Sequence, residues 1–420
     1  MTFDTKKIKI HMAIKYLRTS KIQNKTVLMR GNIDAPVDEK TNKVSDDFRL
    51  RSTLPTIKHL LANGNKVIVC GKRKRAKGKV VPELSLKPTA ERLAELLGYK
   101  FVATDFKVPD YQIPHLIFYT GDFREDKHQE QLSMVPDKDV VFLENLEFFP
   151  GELADDAAFA KKLAGFTDVY VDDDFSKCHH PVASNVGVTK YLPSYAGLSL
   201  EREIKSLDSI LKSVKHPFVV MTGGIKLSEK VGALENLGEK ADKILVGGGV
   251  ASLMFKSKGY EIGLSKIEEG EMKTAWKIEK NFKNKLMLPP DVVVANEKMD
   301  RDSIRCCSPH EIKNNEMILD NGPKTILSYS KVIKEAKTIV WSGPLGMFEQ
   351  KPFDTATMAL ARLIGGRGKG KAFVVAGGGD TVDAIRQAHQ FEHFDHVSTG
   401  GGAMLEYLAG KKLPGIEALK

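Results

Sequence analysis

Short β-branched runs alternate with helical patterns along the whole chain, and that alternation is the signature of repeated βαβ units built around parallel sheets. In the first half the runs fall at residues 26–33, 66–70, 100–103, 140–144 and 168–171; in the second they fall at 217–222, 243–246, 292–295, 338–341 and 372–376. Between the two sets, residues 198–214 (LSLEREIKSLDSILKSV) space Leu200, Ile204, Leu207 and Leu211 at helical intervals with charge on the other face. A helix joining two domains is predicted there. At 420 residues, 42% of them apolar, the chain is too long for one ordinary core and can fill two. The predicted fold class is α/β, with two doubly wound, Rossmann-like parallel-sheet domains joined by a hinge helix.

Open parallel sheets bind ligands at the carboxyl ends of their strands, which is where this chain places its glycine turns. AGGGDT (376–381) follows the apolar run 372–376, and STGGGA (398–403) comes after it. GGIKLSEK (223–230), VGGGVA (246–251) and WSGPLGMFE (341–349) lie earlier in the same half. Such turns let backbone N–H groups approach an anion, and Asp380 can hold the anion's metal ion. Any one turn says little, but the ordered set describes a nucleotide phosphate site. No GxGxxG opens the first βαβ unit and no GxxxxGK[ST] occurs, which disfavours an NAD-binding domain and a Walker-type site.

The net charge of +10 raises the question of an anionic partner. Most basic residues are dispersed, but GKRKRAKGK (71–79) puts six cations in nine residues directly after the run 66–70. It reads as a solvated loop, as an anion-gathering loop at a strand end, or as a nucleic-acid patch. No aromatic is interleaved to stack a base, so small anionic molecules are the expected partners and nucleic acid is disfavoured. Cys70, Cys178, Cys306 and Cys307 show no CxxC spacing, which suggests neither a disulfide framework nor a zinc site and fits a reducing cytosol. The first 21 residues are charged throughout, and no later run approaches the roughly 18 apolar residues of a membrane span. A cytoplasmic protein without membrane attachment is expected.

From about Lys25 to its end the chain resembles the phosphoglycerate kinase family. The resemblance rests on DDFRLRSTLPTIKHLLANG (46–64), SLKPTAERLAELLG (85–98) and FLENLEFFPGE (142–152), then on GGIKLSEK, WSGPLGMFE, AGGGDT and STGGGAMLEYLAGKKLPG (398–415), in matching order and spacing. It implies an N-terminal acceptor domain (1–197 plus 401–420), an interdomain helix (198–214) that is part of a hinge, and a C-terminal nucleotide-binding domain (215–400). It implies Mg2+, ATP or ADP as substrate, a monomer, and reversible phosphoryl transfer between the nucleotide and 3-phosphoglycerate or 1,3-bisphosphoglycerate in glycolysis and gluconeogenesis, completed as the domains close. That chemistry asks for positioning, neutralisation of charge on the moving phosphoryl group and exclusion of water.

The same resemblance distributes the roles. Lys226 is implied to contact the transferred phosphoryl oxygens, Lys230 the α-phosphate and Asp380 the magnesium, with Gly378, Gly379 and Thr381 at the phosphates. Gly223, Gly224, Gly247, Gly248 and Pro344 match pocket positions, Glu349 matches the ribose-binding glutamate, and Ser342 stands where the family has asparagine. Arg49 is implied to stabilise the phosphoryl group from the acceptor side, as the catalytic partner of Lys226. Arg30, Asn32, Asp34, Arg75 and His180 are the remaining acceptor-binding candidates, and here the chain departs from the pattern. RVDFNVP is RGNIDAP (30–36). SHLGRP becomes CGKRKRAKG, which reads as loss of the histidine at Gly71 and retention of Arg75 if one residue is inserted. The arginine of LENLRF is Glu147, and the arginine after histidine in DDDFSKCHHPVAS (172–184) is His180. A carboxylate at Glu147 would repel a phosphate. Either Lys72, Arg73, Lys74 and Lys77, helped by Lys177, His179 and His180, supply replacement charge, or the acceptor is another carboxylate. A non-catalytic ATP-binding paralogue with a basic-loop partner is the third reading.

Overall fold

The computed structural model describes residues 13–104, 113–133 and 135–420. The chain divides into two compact units, Met1–Arg202 with Lys412–Lys420, and Glu203–Lys411.

The first unit is built on β1 (Thr26–Arg30), β2 (Lys66–Cys70), β3 (Lys100–Thr104), β4 (His115–Tyr119), β5 (Val140–Leu143), β6 (Val169–Asp172) and β7 (Ser194–Ala196). They form one parallel sheet in the order β3-β4-β5-β2-β1-β6-β7. The strands read as near-continuous apolar runs because helices cover both faces of such a sheet. Helix Phe48–Ala62 buries Leu50, Ile57 and Leu60, and helix Lys87–Leu97 buries Ala90 and Leu93, in a core shared with Val27, Met29, Val67 and Val69. β1 lies between β2 and β6, with Leu28 level with Ile68 and Tyr170, so the loops that follow these three strands emerge side by side.

The second unit contains β8 (Phe218–Thr222), β9 (Lys243–Val246), β10 (Leu286–Met287), β11 (Val292–Asn296), β12 (Arg305–Cys307), β13 (Glu316–Asn321), β14 (Thr338–Ser342), β15 (Phe373–Ala376) and β16 (His396–Val397). Six of them form a parallel sheet in the order β10-β9-β8-β14-β15-β16. The expectation for 292–295 needs correction: this run lies in a separate antiparallel sheet, β12-β11-β13. The physical reason is connection length. Residues 297–304 and 308–315 are too short for the crossover of about a dozen residues that a parallel neighbour requires.

Helix Leu198–Ser213 passes from one unit to the next, with the division falling after Arg202. At the C-terminus the division differs from the predicted one. Helix Gly401–Leu408 belongs to the second unit, where Tyr407 donates to Asp208 at 2.8 Å and Asn236 donates to the Leu408 carbonyl at 2.6 Å. Only Lys412–Lys420 belong to the first, anchored where the Gly415 N–H meets the Cys178 carbonyl at 2.9 Å.

Candidate functional site

In the second unit the turns after β8, β9, β14 and β15 enclose a cleft of about 1390 Å³. Their backbones interlock: Gly223 N–H donates to the Ser342 carbonyl at 3.1 Å, Gly224 to Pro344 at 2.8 Å, and Gly248 to Leu345 at 2.9 Å. A Cβ on Gly223 would stand 2.0 Å from the Pro344 oxygen, and Gly343, with φ +96°, lies against the Gly223 backbone. Of the nucleotide-side candidates, Gly224, Lys226, Lys230, Gly248, Pro344, Glu349, Gly378, Gly379, Asp380 and Thr381 line the cleft. Gly223 and Gly247 are buried behind its wall, where a side chain would collide with Pro344 or Leu345.

The two lysines differ in setting although they are four residues apart in one turn. Lys226 is exposed and pairs with Glu229 at 3.0 Å, which raises its pKa. Lys230 is 8% exposed and donates to the Lys226 carbonyl at 3.2 Å. Burial pulls its pKa down, while Glu229, Asp380 and Glu268 oppose that fall. Gly378, with φ +103°, caps helix Gly379–Gln387, so Asp380 stands exposed in the first turn, where unpaired N–H groups favour negative charge. Thr381 accepts the Gly343 N–H at 2.7 Å, tying that helix to the turn after β14. The result is a cradle for a polyanion: glycine N–H groups, the N-terminus of helix Gly379–Gln387, Lys226 and Lys230, and the exposed Asp380 carboxylate.

Other cleft residues were not named individually from the sequence. Gly401 and Gly402, within the STGGGA turn already counted with the phosphate site, begin a second helix at the wall; a Cβ on Gly401 would sit 2.8 Å from Gly378 Cα. Lys266, Asp320 and Lys411 also line the cleft; Lys266 and Asp320 stand outside every quoted motif, whereas Lys411 lies within STGGGAMLEYLAGKKLPG but gave no sign there of reaching the cleft. Burial holds the Asp320 carboxyl up at about 7, against N–H bonds from Ala356 and Asn321.

In the first unit the acceptor candidates gather around the ends of β1, β2 and β6. Arg30 departs from its expected role. It is fully buried between Glu152 at 3.3 Å and Asp174 at 3.4 Å and also bonds Ser184, so it serves as an internal counter-ion. Burial alone would lower its pKa, but Asp174 and Glu152 push it up. Asp34 accepts from Lys72 and from the Lys74 N–H at 2.8 Å, and Arg49 donates to the Asp34 carbonyl at 2.8 Å. Asn32 is 1% exposed, and neither of its amide atoms meets a protein partner. Arg75 and His180 are both exposed, and the His180 ring lies 4.0 Å from that of His179.

Three expectations about this cluster change. A Cβ on Gly71 would meet Ile33 at 2.7 Å, so no large side chain fits there. Aligned without an insertion, SHLGRP covers Gly71–Ala76, and its histidine falls on Lys72 and its arginine on Arg75. The basic run is also not uniform: Arg73 is buried and donates to the Glu83 and Ser85 carbonyls, each at 2.9 Å, whereas Lys74, Arg75, Lys77 and Lys79 are exposed. Glu147 is not a bare repulsive carboxylate either. It is buried and stands 3.5 Å from the Lys177 ammonium.

Comparison with known proteins accords with this geometry. The sequence profile of the family described as Phosphoglycerate kinase matches residues 17–411. The phosphoglycerate kinase of Desulfosudis oleivorans is 40% identical over 412 residues, spanning 97% of this chain and 99% of the relative. The chloroplastic phosphoglycerate kinase of Volvox carteri is 38% identical over 402 residues, spanning 95% and 84%. Among solved structures, phosphoglycerate kinase from Coxiella burnetii superposes with a TM-score of 0.81 at 32% identity, covering 97% of this chain and 99% of the other. That from Pyrococcus horikoshii gives 0.81 at 27% identity, covering 97% and 98%. With a profile match, relatives and solved structures all spanning nearly its full length, this chain belongs to the phosphoglycerate kinase family.

Proposed function

We propose that the chain transfers a phosphoryl group reversibly between ATP/ADP and 3-phosphoglycerate/1,3-bisphosphoglycerate, with the nucleotide in the cleft of the second unit. The observation that carries the reading is the cradle itself: five glycine turns, Lys226, Lys230 and the Asp380 helix terminus face one cleft. Lys226, exposed and fully charged, neutralises the transferring phosphoryl oxygens, and Lys230 lies deeper, at the α-phosphate. Gly378, Gly379 and Thr381 meet the phosphates, and Glu349 at the exposed rim takes the ribose.

The residues present fit Mg2+. This ion is usually held by one or two carboxylates together with substrate phosphates and water, and Asp380 offers an exposed carboxylate beside the phosphate cradle. When bound, the metal would neutralise charge on the transferring group. On the acceptor side Arg49 stabilises the phosphoryl group, and Asn32, Asp34, Arg75 and His180 bind the phosphoglycerate, with Arg30 holding the strand end from within. We read the protein as a cytoplasmic monomer acting on small molecules; among the described residues no helix is long and apolar enough to cross a membrane.

The test is ATP-dependent turnover of 3-phosphoglycerate with magnesium, beside Arg49→Ala and Lys226→Ala. Both variants should lower kcat by about 100-fold or more while ATP affinity changes by less than about tenfold. Equal losses of turnover and affinity would remove the role given to Lys226. No turnover by the parent protein at any acceptor concentration, with ATP binding intact, would remove the acceptor assignment.

A further inference from the structure

The acceptor cluster contains two ammonium groups that the family pattern does not supply, each held by its own carboxylate. Lys72, half-buried at the end of β2, bonds Asp34. Lys177, on the turn after β6, stands 3.5 Å from Glu147, with side chains 12% and 5% exposed. Lys72 and Lys177 follow β2 and β6, the two strands that flank β1, and the charges of Lys72 and of the buried Arg30 guanidinium both bear on Lys177. Burial, Arg30 and Lys72 together lower the Lys177 pKa, and Glu147 and Glu152 only partly oppose them. Asn32, just past the end of β1, adds a buried amide whose N–H groups and oxygen have no hydrogen-bond partner in the protein. A like charge acting on a partly buried lysine is costly unless anions balance it, and a buried amide without a hydrogen-bond partner is costly in the same way.

We propose that Lys177 and Lys72 form the anion seat of the acceptor site, taking the phosphate or carboxylate of a phosphorylated carboxylic acid. Glu147 serves as the resident counter-ion of Lys177. In this arrangement Glu147 does not signal a lost acceptor: it balances a partly buried lysine until the substrate's anionic group shares that ammonium. Its presence sets specificity, because a doubly charged phosphate competes with one carboxylate better than a neutral or singly charged group does. The inference rests on the proposed function, since it names the groups that hold that reaction's acceptor.

The experiment is steady-state kinetics with varied 3-phosphoglycerate on Lys177→Met, Lys177→Arg, Glu147→Gln and the double variant Lys177→Met/Glu147→Gln. The double variant removes both charges together and so leaves no unpaired buried ion. Expected are a rise of about tenfold or more in the acceptor KM for Lys177→Met and for the double variant, partial rescue by Lys177→Arg, and a fall for Glu147→Gln. The KM for ATP should stay within about twofold throughout. An unchanged acceptor KM in a double variant that unfolds at the parent's temperature would overturn the proposal. So would equal rises in both KM values. Absence of turnover in the parent protein would instead remove the function on which the inference rests.

Discussion

Gly223 shows how little room the turns around the proposed nucleotide cleft leave for side chains. A Cβ there would stand 2.0 Å from the Pro344 oxygen and 3.0 Å from that of Gly343, both backbone atoms that cannot swing aside. Gly223→Ala should therefore destabilise the fold by about 1–3 kcal/mol or more, measured by chemical denaturation, and weaken ATP binding in parallel. Asp320 makes a second case. Burial raises its carboxyl to about 7, above an unfolded value of about 4, so its favourable contribution is full below the unfolded value and is lost as pH rises towards 7. Asp320→Asn cannot ionise. Between about pH 5 and 8 it should gain on the order of 2 kcal/mol relative to the parent, read as the difference between two stability–pH curves. Coincident curves would mean that this carboxyl titrates at its ordinary value when folded.

At the scale of elements, the stretch joining β16 to helix Gly401–Leu408 is held by one residue of the long helix Leu198–Ser213. Glu203 accepts the Thr399 N–H at 2.7 Å and its hydroxyl at 2.8 Å, and meets the His396 ring at 2.7 Å, all of them buried. Burial alone would raise the Glu203 carboxyl, but His396 and the Thr399 bonds hold it below the usual carboxylate range. Its stabilisation is therefore present above the unfolded carboxylate value and is lost as pH falls through the folded one. Glu203→Leu should cost about 3–5 kcal/mol at neutral pH, because it strands the Thr399 N–H and the His396 ring, and the difference from the parent should shrink in acid. Elsewhere in the chain, helix Ala157–Ala164 depends on its cap. The Asp156 side chain accepts the Phe159 N–H at 2.7 Å, and Asp156→Ala should lower stability by about 1 kcal/mol.

For the molecule as a whole, a ligand held by one unit stabilises what it binds by mass action. Saturating ATP with magnesium, at about 100 times its dissociation constant, should stabilise the second unit, where the nucleotide is proposed to bind, by about 2.7 kcal/mol, and its unfolding temperature should rise accordingly. Replacing magnesium with a chelator should shrink that rise, and Asp380→Asn should shrink it with magnesium present. An equal rise in all three conditions would take the metal away from Asp380. Much of this architecture was legible beforehand. Residues 66–70 and 243–246 match β2 and β9 at both ends, and the helical spacing of 198–214 matches Leu198–Ser213, because apolar period and strand-end glycines are local properties. β7, β10, β12 and β16 escaped notice because runs of two or three residues carry no period, and the longer β4 and β13 were missed as well. The acceptor side was misread for a related reason. Sequence could say that Glu147, Arg30 and Gly71 were unlike or like a motif, but whether a charge is bare or paired depends on neighbours distant in the chain. Glu147 meets Lys177, thirty positions on, and Arg30 meets Glu152 and Asp174. The sequence by itself determined the α/β class, the family and the glycine cradle, all of which follow from patterns within a few residues or from their order. Only the tertiary structure decided which cations face an opening and which are spent on internal carboxylates, because Coulomb pairing and burial are set by distance in space.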